Sequence, residues 1–160
     1  MLRLTASEAR KLGIMVNKKT GRAKMKHKRP EPVVRQEPGK LTIIIYDIPP
    51  SLNDWHGMHW AAKTKVKKQW ENMLIVLLRG YKRVEKPVVR ITYYPDIERR
   101  RDKDNMTPKW IMDGLVKSGV IQDDNAKVVD LDWSIGPVVE IGRTEIVIWE
   151  GGEGCIPMLR

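Results

Sequence analysis

Two aspartates in the middle of the chain, Asp102 and Asp104, directly follow a run of three arginines. If this segment is extended, side chains two residues apart leave the same face, and the two carboxylates converge on one point. Carboxylates held that close repel each other unless a cation lies between them. Mg²⁺ prefers oxygen ligands of this kind and keeps water molecules that a substrate phosphate can replace. The pattern therefore predicts a magnesium site, with a solvated charged loop as the alternative.

Charged residues on both sides of this pair fit a substrate that carries phosphate. Arginine suits phosphate because its planar guanidinium donates two parallel hydrogen bonds. Downstream, Lys109 is placed to stabilise negative charge that develops on a phosphate. A second acidic pair, Asp123-Asp124, follows the next predicted helix. The arginines concerned are Arg99, Arg100 and Arg101.

A second Asp-x-Asp sequence, Asp130 and Asp132, is a rival metal site. Val129, Leu131 and Trp133 alternate with these aspartates. Such alternation is typical of a strand with one apolar and one wet face. Because no basic cluster surrounds this pair, we interpret Asp130 and Asp132 as the solvent-facing side of a strand.

A polar and aromatic segment, residues 51–60, offers two weaker signals. His56 and His59 are three residues apart, but no third nitrogen or sulfur ligand stands nearby, which disfavours zinc. Trp55 and Trp60 are interpreted as covers of the core, with stacking on nucleic-acid bases as the alternative. The single cysteine, Cys155, excludes an intramolecular disulfide and a cysteine-rich zinc site, and it fits a reducing cytosol.

The positive charge is concentrated in the first quarter of the chain. The net charge is +10 over 160 residues. Residues 1–40 hold 12 lysines and arginines against 3 acidic residues, a net charge of +9, which leaves +1 for the rest. A basic segment is attracted to a phosphate backbone without reading sequence, although it can also act only as a solubilising tail. The sequence shows no secretory signal and no apolar run of about 20 residues, so we expect a cytoplasmic protein without a membrane partner.

Apolar periodicity and chain breakers predict three regions. Residues 1–40 form a partly flexible basic extension with a small helix over 5–13 and a linker over 17–40. Residues 41–150 form the main domain, and 151–160 a glycine-rich tail. Strands are predicted over 41–46, 88–94, 126–135 and 143–150, the last two as an antiparallel pair. Helices are predicted over 61–78 and from Pro108, with Thr107 as cap, to Gly119. The fold class is therefore α+β: a small mixed β-sheet with two main helices, in the order β-α-β-α-β-β.

The spacing of these motifs resembles the RusA family of Holliday junction resolvases, best known from bacteria and their phages and prophages. The resemblance covers roughly residues 41–150, and its opening is the Pro-Pro-Ser-x-Asn segment that ends at Asn53. The central elements of the pattern, after the arginine run, are Asp102, Asp104, Asn105, Lys109, Asp113-Gly114-Leu115, Gly119 and Asp123-Asp124.

The resemblance implies a homodimeric, Mg²⁺-dependent endodeoxyribonuclease that resolves four-way DNA junctions by paired symmetric nicks during recombination and repair. Mg²⁺ is then the expected cofactor, with no small-molecule cofactor. The catalytic residues would be Asp102, Asp104, Lys109 and Asp124, with Asp123 as a further metal ligand. Contacts to branched DNA would come from Arg99, Arg100, Arg101, Lys103, Asn105 and Lys63, the last on the basic face of the first helix.

The chain departs from the family pattern at one point. Three residues separate Asn105 from Lys109, where the family has two, so Lys103 is an alternative catalytic lysine. Two other functions stay open: a Mg²⁺ nuclease that acts on other branched DNA, and a catalytically silent dimeric protein that binds DNA structures. The presence of all three acidic positions and a lysine argues against lost chemistry.

Overall fold

The computed structural model describes residues 15–16, 23–24, 29–98 and 100–151. It divides into two compact units, Met1–Pro30 and Glu31–Arg160. In the first unit, two short strands, β1 (Met15–Val16) and β2 (Ala23–Lys24), pair antiparallel. The helix predicted over residues 5–13 and the tail after residue 151 lie outside the described residues.

The second unit is built on a five-stranded mixed sheet. Its strands are β3 (Val33–Glu37), β4 (Lys40–Ile45), β5 (Pro87–Tyr94), β6 (Asp130–Ile135) and β7 (Arg143–Glu150). They lie in the order β3-β4-β7-β5-β6. The β5–β6 pair is parallel, and the other neighbouring pairs are antiparallel. With two main helices beside this sheet, the predicted α+β class is confirmed.

In the described part of the second unit, three α-helices and one 3₁₀ turn connect the strands. The helices are α1 (Leu52–Gly57), α2 (Trp60–Leu77) and α3 (Lys109–Ser118), and the 3₁₀ turn is Lys103–Asn105. Every second residue of β4, β5 and β7 is buried, so one face of the sheet supplies the core. The helices contribute Trp70, Leu74, Ile111 and Leu115 to the same cluster. Within the described residues, the helices are too short or too polar to cross a membrane.

Part of the predicted linker is a strand. Val33–Glu37 pairs antiparallel with β4, and Gly39 at φ 69° completes the turn between them. Two β-branched residues, Val33 and Val34, favour strand conformation, and glycine adopts this left-handed conformation without steric cost. The assignment of all of residues 17–40 to a linker is therefore wrong for this hairpin. The composition of the segment did not indicate a strand.

The predicted antiparallel pairing of the last two strands is wrong. Strand β7 lies between β4 and β5, whereas β6 pairs parallel with the outer side of β5. Parallel neighbours need a crossover connection, and α3 provides it between β5 and β6. Strand β6 also begins later than predicted, at Asp130, because Asn125 accepts hydrogen bonds from the backbone N–H groups of Lys127 and Val128 and closes a turn there.

The segment over residues 51–60, expected to be a loop, contains α1. The Ser51 hydroxyl oxygen accepts a hydrogen bond from the Asp54 backbone N–H at 3.2 Å, and the hydroxyl donates to the Asp54 carboxylate at 2.6 Å. This reciprocal arrangement caps the helix start. His59 then caps α2, since its Nδ1 accepts from the Ala61 N–H at 3.4 Å. His59 thus has a structural role as the N-terminal cap of α2.

Candidate metal and phosphate site

The first Asp-x-Asp sequence lies in what we call the acidic turn, residues 102–105. Asp102 is extended, at φ −100° and ψ 136°, but the next three residues form the 3₁₀ turn. The Asn105 N–H donates to the Asp102 carbonyl at 3.1 Å, and the Met106 N–H donates to the Lys103 carbonyl at 3.0 Å. A 3₁₀ helix has about three residues per turn, so positions i and i+2 do not share a face. The prediction of an extended segment with aligned carboxylates is therefore wrong.

The acidic turn is instead anchored through its other two side chains. Lys103 Nζ lies 2.9 Å from Asp132 Oδ1 in β6 and 5.2 Å from the centre of the Trp133 ring. The Trp133 indole N–H donates to the Lys103 carbonyl at 3.3 Å. On the other side, Asn105 Oδ1 accepts from the Asn53 backbone N–H at 3.0 Å. The acidic turn is thus tied to β6 by one residue and to the start of α1 by another.

The two aspartates of the acidic turn are left at the surface. Asp102 keeps 65% of its side-chain area exposed, and its closest basic partner is Arg100, at a long 3.7 Å from Nε to Oδ1. Asp104 is also exposed and has no ion pair within the described part of the chain. Along the acidic turn, the exposed carboxylates of Asp102 and Asp104 therefore alternate with the anchoring side chains of Lys103 and Asn105.

The bond between Asn53 and Asn105 joins two sequence segments that are 52 residues apart. Next to it, the rings of Trp55 and Trp110 lie 4.8 Å apart, and Lys63 Nζ lies 6.0 Å from the Trp55 ring. The half-buried Trp55 packs against the core, as predicted. Trp60 does not cover the core, because 72% of it is exposed.

Lys109 opens α3 directly after the acidic turn. The Thr107 hydroxyl accepts from the Lys109 backbone N–H at 3.3 Å, and Pro108 is already helical at φ −77° and ψ −5°. These contacts confirm the predicted start of the helix. The Lys109 side chain is exposed. Its charge lies at the positive end of the helix dipole, which is a mildly unfavourable position for a cation.

The Asp113-Gly114-Leu115 segment holds α3 against α2. A Cβ atom added at Gly114 would come 2.5 Å from Leu74 Cδ1, so a larger residue here would displace the buried Leu74 side chain between the two helices. Asp113 pairs with Lys67 at 3.3 Å, and this hydrogen bond raises the pKa of Lys67. Buried Glu71 also pairs with Lys117 at 2.7 Å. This part of the motif therefore positions the helix that carries Lys109.

The two members of the second acidic pair differ in their surroundings. Asp123 accepts from the Asp124 backbone N–H at 2.7 Å and from the Asn125 side-chain amide at 2.6 Å. These hydrogen bonds, the backbone one foremost, lower the pKa of Asp123 below its usual value. Asp123 therefore organises the loop after α3. Asp124 is exposed, and its carboxylate forms no ion pair within the described residues, which suits a ligand better.

The donor chemistry fits Mg²⁺, but a complete ligand set is not gathered. Among the described residues, no three histidine, cysteine or acidic side chains form a group that would hold a metal ion. The exposed carboxylate of Asp102 or of Asp104 is compatible with Mg²⁺, which commonly takes one or two carboxylates and completes its shell with water and substrate phosphate. The metal-binding roles of Asp102, Asp104, Asp123 and Asp124 all stay predictions.

The predicted DNA-binding arginines differ in their settings. Arg100 is 91% exposed in its side chain, and Arg99 lies outside the described residues. Arg101 donates to the Ile97 carbonyl at 2.7 Å. It also lines a cavity of about 210 Å³ next to the acidic turn, together with Pro49, Pro50, Ser51, Tyr93, Asp96 and Met106.

Sequence reasoning missed the contact between the acidic turn and β6. Asp132 is exposed on its strand, as predicted, but it also binds Lys103. No local pattern indicated this contact, because Lys103 already has acidic neighbours in the sequence, Asp102 and Asp104. The partner was hidden because the parallel placement of β6 beside β5 was not predicted.

In comparisons with known proteins, no protein-family model and no curated protein matched this chain.

Proposed function

We propose that this protein is a Mg²⁺-dependent endodeoxyribonuclease of the RusA type that cuts four-way DNA junctions. One observation carries the proposal: the Asn53–Asn105 bond brings together the two separate segments on which the resemblance rests. It does so beside two exposed carboxylates, of which Asp102 has one long contact, to Arg100 at 3.7 Å, and Asp104 has no ion pair among the described residues. Two motifs that are far apart in the sequence and in contact in the fold support the proposal more strongly than either motif would alone.

The proposed reaction is hydrolysis of a phosphodiester in the DNA backbone. Asp102 and Asp104, joined by Asp124, would hold Mg²⁺, which supplies polarisation of the phosphate and an activated water when bound. Lys109 stabilises the negative charge that builds up on the phosphate oxygens. The exposed Arg100 contacts the backbone on the approach to the site. A two-fold homodimer would present one such site to each of the two symmetry-related phosphates of a junction.

The test is cleavage of a synthetic mobile four-way junction with Mg²⁺ at about 10 mM, since such sites bind this ion weakly. Linear duplex and a flap of the same sequence serve as matched substrates. We expect paired symmetric nicks in the junction, which disappear when EDTA removes the metal. Preference for the flap would move the proposal to another branched substrate. Tight junction binding without cutting would favour the catalytically silent binding protein.

The basic extension offers a separate test of DNA binding. Residues 1–30 hold 10 lysines and arginines against one acidic residue. Truncation must stop before Val33, because β3 belongs to the sheet. We expect a chain that starts at residue 31 to bind junctions more weakly and with a flatter dependence on salt, since fewer counterions are released. Filter binding or anisotropy at several salt concentrations measures both, and an unchanged slope would show that the extension does not contact DNA.

A further inference from the structure

Lys103 stands between the two proposed metal ligands in the sequence and carries the wrong charge for a cation site. An ammonium group is attracted to neighbouring carboxylates as strongly as a monovalent ion is. If Lys103 turned towards Asp102 or Asp104, it would neutralise that carboxylate and compete with Mg²⁺. The acidic turn therefore needs a way to keep this ammonium group away from its own aspartates.

Strand β6 provides such a device. Asp132 Oδ1 takes the Lys103 ammonium at 2.9 Å, and the same oxygen accepts from the Trp133 backbone N–H at 2.8 Å. The Trp133 ring lies against the Lys103 ammonium at 5.2 Å, and its indole N–H holds the Lys103 carbonyl. Side chain and backbone of Lys103 are thus both directed towards β6. The hydrogen bond from Lys103 also lowers the pKa of Asp132.

The neighbouring aspartate on β6 makes the assignment specific. Asp130 lies two residues away on the same exposed side of the strand and pairs with Arg90 at 3.1 Å. It therefore resembles Asp132 in exposure and in having a basic partner. Its partner belongs to β5, however, and not to the acidic turn. Asp130 provides a matched control with the same chemistry and a different target.

We propose that Asp132 is a positioning residue that sequesters Lys103 and so keeps Asp102 and Asp104 open for a divalent cation. This inference rests on the proposed function of those two carboxylates. Asp132 does not bind the metal itself. Its effect passes through Lys103, so it vanishes when the ammonium group is removed. That dependence separates the proposal from a general contribution of Asp132 to the stability of β6.

The test is a double-mutant cycle on equilibrium binding of Mn²⁺ alone to the full chain, measured by calorimetry or by electron paramagnetic resonance of the unbound ion. We expect Asp132→Asn to weaken Mn²⁺ binding by about three- to tenfold, the size of a surface charge interaction next to a metal site. Lys103→Gln should not weaken binding. In the Lys103→Gln background, Asp132→Asn should change affinity by less than about twofold. Asp130→Asn should match the wild type, and circular dichroism checks that each variant is folded.

The outcomes separate this inference from the proposed function. Unchanged Mn²⁺ affinity in Asp132→Asn, or an equal loss with and without Lys103, would overturn the sequestering role even if junctions are cut. The absence of measurable Mn²⁺ binding to the wild type would overturn it as well. If Asp132→Asn weakens Mn²⁺ binding only when Lys103 is present, but the protein cuts no junction, the sequestering role would be supported and the proposed substrate would be wrong. A matching rise in the Mg²⁺ concentration required for cleavage by Asp132→Asn would support both.

Discussion

The chain contains two Asp-x-Asp sequences with identical spacing and different fates. In β6, Asp130 pairs with Arg90 at 3.1 Å and Asp132 pairs with Lys103 at 2.9 Å. In the acidic turn, Asp102 has only the distant Arg100, at 3.7 Å, within the described residues. The strand aspartates share one exposed face, as the period of a strand requires. The acidic turn instead alternates exposed carboxylates with anchoring side chains.

This difference shows that equal spacing does not give two aspartate pairs the same surroundings. A carboxylate with a close basic partner has already had its charge compensated, and a cation gains little by binding there. A carboxylate held at the surface without such a partner retains its attraction for a cation. The two motifs are also connected, because Lys103 of the acidic turn forms an ion pair with Asp132 of β6. The following predictions are ways to break or sharpen this contrast.

The largest expected difference is in catalysis. Asp104→Asn preserves the size of the side chain and removes its charge, so we expect junction cleavage to fall by about a thousandfold or more while binding persists. Asp130→Asn should cleave within about twofold of the wild type. Single-turnover cleavage of the junction at saturating enzyme measures both. Equal activity of Asp104→Asn and the wild type would remove the acidic turn from the proposed site.

A smaller loss is expected at the lysine that follows the acidic turn. Lys109→Gln removes the charge proposed to stabilise the phosphate, so we expect a loss in cleavage of about a hundredfold. Stability should be unchanged or slightly higher, because a cation at the start of α3 opposes the helix dipole. Cleavage assays and urea unfolding test the two parts, with Lys103→Gln as the matched lysine variant. A greater loss of cleavage in Lys103→Gln would transfer the catalytic role to that residue.

For the free energy of unfolding, we expect the reverse order: a substitution in the β6 motif should have a larger effect than one in the acidic turn. Asp130→Asn breaks an ion pair with Arg90 that includes two guanidinium contacts, at 3.1 and 3.4 Å. We expect a loss of about 0.5–1 kcal/mol in the free energy of unfolding, since such pairs contribute little at the surface. Asp104→Asn should change that free energy by less than about 0.5 kcal/mol. Urea unfolding of both variants makes the comparison, and a larger loss in Asp104→Asn would show that the acidic turn is a structural element.

The smallest expected effect is in the dependence of stability on pH. The hydrogen bond from Lys103 lowers the pKa of Asp132 below its ordinary value of 3.8. A lowered pKa contributes stability that is present above 3.8 and is lost as the pH falls through the pKa of the folded protein. Asp132→Asn should therefore lose less stability than the wild type between pH 5 and pH 3. Lys103→Gln should show the same flattening in urea unfolding, and a steeper loss in either variant would contradict the assigned bond.

Much of the fold followed from local patterns in the sequence. The amphipathic spacing around Trp70 and Leu74 predicted α2, and Thr107, Pro108 and Gly119 marked the ends of α3. These signals act within one or two turns of the chain, so they need no knowledge of the tertiary structure. The hairpin of β3 was missed because Val33 and Val34 are the only apolar residues of that strand, and the chain before it is rich in lysine and arginine. The partners of β6 and β7 were missed because pairing depends on contacts between residues far apart in the sequence.

The sequence by itself determined which residues could carry the proposed chemistry: the aspartates at 102, 104 and 124, the lysine at 109, and the arginine run. Their types and spacing are covalent facts, and their charges follow from ordinary pKa values. The tertiary structure decided how those residues are held. It folded the acidic turn into a 3₁₀ conformation, joined Asn105 to Asn53, and placed Asp132 against Lys103. The physical reason is that ion pairs and hydrogen bonds act over a few ångströms, and only the pairing of β6 with β5 and the packing of α1 bring these side chains within that distance.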